Sequence, residues 1–102
     1  MTEDTARIIV ARLLPLGFTD KTDQHALNIF YLELPLQNDL GTLEVWWRRW
    51  MAAPVLQWSQ GYEERVTIAK SEDAERLASA VILFLGFIGA LIKTAEVEHP
   101  CL

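Results

Sequence analysis

Between Leu77 and Ile92 the chain reads LASAVILFLGFIGALI, a run with one hydroxyl and no charge. A helix over this run is apolar around its whole circumference and has to be wrapped on every side, whereas a helix lying on one small sheet hides a single stripe. The rest of the domain, a second copy of the chain, a different protein or a lipid surface must cover the remainder. The run spans about 24 Å at about 1.5 Å per residue, against about 30 Å for a bilayer's hydrocarbon core. Only Lys93 stands beside it, and acids follow at Glu96 and Glu98. The pattern is therefore expected to meet protein and not to insert in a membrane.

Composition frames that requirement. With 102 residues, 51% hydrophobic and 23% charged, the sequence is expected to form one small folded domain over 1–102, frayed at 96–102. A net charge of -5 opposes nonspecific attachment to nucleic acid or anionic membranes, and suits a protein partner, particularly a basic one. The single cysteine, Cys101, allows no intramolecular disulfide. Acids at Glu3 and Asp4 stand where a secretion signal carries bases, so a cytoplasmic protein is expected.

Thr2 is placed to cap a helix with an acidic first turn. Ala6, Ile9, Val10, Leu13 and Leu14 then recur at helical spacing until Pro15 and Gly17. Leu27–Leu34 and Leu43–Trp50 are rich in strand formers, and the short Pro35–Gly41 loop between them predicts a hairpin. Met51–Gly61 reads as a connection that holds at most a fragment of regular structure at Val55–Trp58, and Tyr62–Ala69 as a third strand. Ser71 is expected to cap the final helix, with Glu72 and Arg76 spaced for an i,i+4 ion pair and with Gly86 and Gly89 as the places where it would break. The expected fold class is α+β, a two-layer αβββα domain whose three-stranded antiparallel sheet carries both helices on one face.

Period-two alternation sorts the strands into two sides. Phe30, Leu32, Leu34, Leu43, Val45, Trp47, Val66 and Ile68 share an apolar side that should carry the helices. Ile29, Tyr31, Glu33, Glu44, Trp46, Arg48, Trp50, Arg65 and Thr67 share the other. Trp, Tyr and Arg are the residue types enriched at binding hot spots, so Tyr31, Trp46, Arg48, Trp50 and Arg65 are the candidate partner-binding residues. The same groups also suit cation–π pairs within the sheet, with Glu33 or Glu44 neutralising the arginines. On the last helix, Ala74, Leu77, Ala78, Val81, Leu85, Ile88 and Ile92 form the stripe that packs on the sheet. Leu83, Phe87 and Ala90 fall on the opposite side. Leaving those three wet forgoes about 4 to 7 kcal/mol, comparable with the roughly 5 to 15 kcal/mol of net stability in a small domain. They are the candidate self-association residues of a homodimer built on this helix, and Gly86 with Ala90 permits close backbone approach.

Reaction chemistry is not written in this chain. Asp20, Asp23 and His25 lie close in sequence but match no ligand spacing and lack a fourth donor, so no metal is expected. Cys101 has no fixed base beside it, and no phosphate loop or nucleophile elbow occurs. Glu63 and Glu64 point to opposite faces of a strand, and Glu33 with Glu44 forms at most a charge cluster across the hairpin. No enzyme and no cofactor are expected.

An acidic αβββα chain whose first helix runs into Leu16-Gly17-Phe18 before the first strand resembles the acidic secretion chaperones in element order and charge. Those chaperones are dimers and usually longer than this chain. That resemblance implies a dimeric adaptor. Small acidic proteins without catalytic groups also include phage-encoded inhibitors of host defence complexes, such as anti-CRISPR proteins, and toxin-neutralising immunity proteins, and no residue selects among these. The expected function is thus stoichiometric protein–protein interaction, as inhibitor or adaptor. The alternative is single-stranded nucleic-acid binding on the Trp/Arg face, which lacks a basic groove.

Overall fold

The computed structural model describes residues 1–61 and 64–97, with 91–97 as helix backbone alone. Helix α1 (Glu3–Leu13) is followed by five strands and helix α2 (Ala74–Val97). The strands are β1 (Thr19–Asp20), β2 (Phe30–Pro35), β3 (Thr42–Trp47), β4 (Val55–Gln60) and β5 (Glu64–Lys70), all antiparallel and in sequential order across one sheet. The fold is α+β with an antiparallel sheet, but with five strands where three were expected.

Two of those strands explain the difference. β4 falls in the presumed connection, where Leu56 and Trp58 alternate with Gln57 and Ser59 just after Pro54. Proline immediately before a strand removes no ladder donor from it, and polar residues on every second position are what a one-sided strand requires. β1 is only two residues, pairing Thr19 with Glu33 and Asp20 with Leu32. No periodicity can be read from two polar residues. β3 ends at Trp47, so Arg48–Trp50 form a turn instead of continuing the strand.

Each helix begins at a side-chain cap. Thr2 accepts a hydrogen bond from the Thr5 amide. For α2 the cap is Asp73, whose Oδ1 accepts from the Glu75 and Arg76 amides, while Ser71 accepts from the Asp73 amide one step earlier. Glu72 therefore precedes the helix and forms no pair with Arg76; Glu75 reaches across to Arg12 of α1 at 2.8 Å. α2 runs unbroken through Gly86 and Gly89. It also takes in residues 96 and 97 of the expected frayed end. The side chains of Ile92, Lys93 and Glu96, and the whole of Tyr62, Glu63, Glu98, His99 and Cys101, lie outside the described residues.

The core forms between the two layers. Ala6, Ile9 and Leu13 of α1 and Leu77, Ala78 and Val81 of α2 meet Phe30, Leu32, Leu43, Val45, Trp47 and Leu56 of the sheet. The register agrees with the predicted sides, pairing Phe30 with Trp47, Leu32 with Val45 and Leu34 with Leu43. Trp58 and Phe84 lock α2 to β4, with ring centroids 5.4 Å apart. Trp58 also donates to the Leu40 carbonyl at 2.7 Å, tying the β2–β3 loop to β4. Gly41 completes that junction: at φ +94° a Cβ would lie 2.1 Å from the Ser59 carbonyl oxygen, so only glycine fits. A β-bulge in β5 at Ile68 lets Ile68 and Ala69 both pack toward the core. The molecule measures 54 × 27 × 20 Å. Among the described residues no helix is long and apolar enough to cross a membrane.

Candidate interaction surfaces

The sheet face opposite the helices is built by the outward members of β2 to β5. Tyr31 stands opposite Trp46, Glu33 opposite Glu44, and Glu44 opposite Gln57. Much of this face is closed by its own side chains. Glu44 is only 5% exposed. It accepts a hydrogen bond from the Tyr31 hydroxyl, and Arg65 stands 3.8 Å from the same carboxylate. A buried carboxylate is tolerable when its oxygen is hydrogen-bonded and a cation is near, which makes this trio a structural unit. His25 stacks on Tyr31 at 3.7 Å and seals it from the other side. Beside the trio, Glu33, Thr42, Ser59 and Gly61 border an open polar groove of about 570 Å3.

The tryptophans divide along the same line. Trp46 donates to Gln57 at 3.1 Å and is half-buried in the sheet face. Arg48 reaches back from the turn after β3, its guanidinium 5.0 Å from the Trp46 ring and 5.5 Å from Trp50, and donates to Asn28. A guanidinium held between two indoles is worth about 0.5–1 kcal/mol per exposed pair. Of the five candidate partner-binding residues, Tyr31 is therefore buried, Trp46 and Arg48 are half-covered, and Arg65 is held near Glu44. Trp50 is 70% exposed, with the Arg48 guanidinium over its ring.

Among the described residues no three His, Cys, Asp or Glu side chains gather as a metal site would need, and Asp20, Asp23 and His25 are not brought together as one. Asp20 accepts from the Thr22 amide in an Asx turn, and His25 is the lid on Tyr31.

The outer face of α2 differs from all of this. Ile82, Leu83 and Phe87 are 51%, 74% and 58% exposed. Gly86 and Ala90 lie exposed on the same side, and a Cβ at Gly86 would meet nothing within 4 Å. The stripe expected to pack on the sheet does so through Leu77, Ala78, Val81 and Ile88, with Ala74 and Leu85 half-buried beside them. Ile82 was absent from the predicted outer set, although at about 100° per residue it falls beside Gly86. Comparison with protein-family models, curated proteins and solved structures found no match.

Proposed function

We propose that this chain is a protein-binding module that acts by stoichiometric association and carries no reaction of its own, as a small acidic inhibitor or adaptor does. The observation that carries the reading is the uncharged stretch of α2 from Ile82 to Ala90, where Ile82, Leu83 and Phe87 stand in solvent as one apolar patch. A homodimer covers this face, and Trp50, backed by Arg48 and Trp46, is the exposed aromatic for a second protein. Base stacking draws less support, because the Arg48 guanidinium is already spent on Trp46 and Trp50 and Arg65 lies against a buried carboxylate. Sedimentation of the intact chain tests the reading: a dimer that Phe87→Glu converts to a folded monomer supports it. A wild-type monomer at all accessible concentrations refutes self-association through α2.

A further inference from the structure

The shortness of β1 leaves a gap beside α1. β1 pairs with β2 only through Thr19 and Asp20, so the start of β2 and Ile29 before it have no strand on that side among the described residues. An open groove of about 760 Å3 remains there, between α1 and the β1–β2 connection. Ala6, Val10, Ala11 and Leu14 form its helical wall, and Ile29 with Phe30 continues the apolar surface. Arg12, which meets Glu75 of α2, projects about 200° around the helix from Val10 and Leu14. The groove and the outer face of α2 are therefore separate surfaces.

The other wall carries charge. Asp20 and Asp23 stand on it, and hydrogen bonds fix it in place: Asp20 Oδ1 accepts from the Thr22 amide and hydroxyl, and Thr22 Oγ1 accepts from the Tyr31 amide. Asp23 is exposed and has no partner among the described residues, and Lys21 between the two acids does not line the groove. On α1 the charges are already paired, Glu3 with Arg49 at 2.9 Å and Arg7 with Asp4 at 3.5 Å. A negative wall thus faces an apolar one.

We propose that this groove seats a basic amphipathic segment of a partner protein, with branched or aromatic side chains on Val10, Leu14 and Ile29 and a lysine or arginine on Asp20 and Asp23. Charge complementarity selects this occupant. An acidic segment meets two carboxylates that lack a counter-charge, and an uncharged one desolvates Asp23 and the second oxygen of Asp20 without replacing their water. A second copy of this chain, itself at -5, is repelled by the same wall. From Glu3 to Leu14 the helical wall runs about 16 Å, room for about three turns of helix or five extended residues. The proposal rests on the reading of the chain as a protein-binding module, but not on its dimer.

The probe is a phage-displayed library of random peptides of about 12 residues, long enough for about three helical turns, selected on the intact chain. Expected are clones that place Lys or Arg three or four positions from Leu, Ile or Phe. As synthetic peptides they should bind roughly tenfold more weakly to Asp23→Lys and to Ala11→Trp, the first reversing the charge and the second filling the groove, and should bind Phe87→Glu unchanged. Both groove substitutions alter exposed positions and spare the core. Clones without a basic preference, clones indifferent to both groove substitutions, or a selection that enriches nothing overturn the proposal. Loss of binding on Phe87→Glu alone also overturns it, by placing the peptide on α2. Sedimentation answers separately: a wild-type monomer removes self-association through α2 and leaves the groove result as it is.

Discussion

The two helices of this domain start alike and end differently. Both open on a capping side chain and an acidic residue, and both press small and branched apolar groups onto the same sheet. α1 then turns Arg7, Ala11 and Arg12 outward with Ile8 as its lone large apolar exception, whereas α2 turns out Ile82, Leu83 and Phe87. The inner faces are interchangeable in kind, so the outer faces hold the distinguishing information. A helix that needed only to cover the sheet would look like α1.

The sharpest way to break this comparison is to truncate the two sides of α2 in turn. Leu77→Ala should cost about 2–5 kcal/mol of unfolding free energy, because it empties a fully buried site, while Leu83→Ala in dilute protein should stay within about 0.5 kcal/mol. Denaturant titrations decide it, and equal losses would mean that the outer face is packed within the protomer. On the open sheet face, Glu44→Ala should cost about 1–3 kcal/mol by leaving the Tyr31 hydroxyl without its acceptor. A neutral result by thermal melting would show that water replaces the carboxylate freely. Asp73→Ala should cost about 1 kcal/mol and Ser71→Ala less, which sharpens the assignment of the α2 cap. Smallest is Gly86→Ala, expected to stabilise the protomer by about 0.5–1 kcal/mol, since the added methyl meets open space in a continuous helix. On the helical wheel Gly86 falls between Ile82 and Leu83, so the same methyl enters the contact proposed for this face and should weaken the dimer in sedimentation. An unchanged dimer would move the contact off the crest of α2 toward Phe87.

What the sequence disclosed follows from periodicity. The buried stripe of α2 and the two sides of the β2–β3 hairpin were legible because alternation over six or more residues fixes which way each side chain points. β4 carries the same alternation, yet Pro54 and three polar residues masked it as a connection. The end of β3 was misplaced because Arg48, Arg49 and Trp50 continue the composition of a strand while the backbone turns. The partnerships on the open face were legible only in type. The Tyr31 ring bonds to Glu44 and stacks on His25 from a turn about six residues upstream, and no local pattern encodes that arrival.

The junction at Gly41 bears on the route by which the chain reaches this state. The β2–β3 loop is held by β4 through the Leu40 carbonyl and by the absence of a side chain against Ser59. A hairpin formed ahead of β4 would have a finished ladder and an unfinished tip. Closure of that tip draws the Trp58 indole into its bond, so its emission should report the docking of β4 on the hairpin.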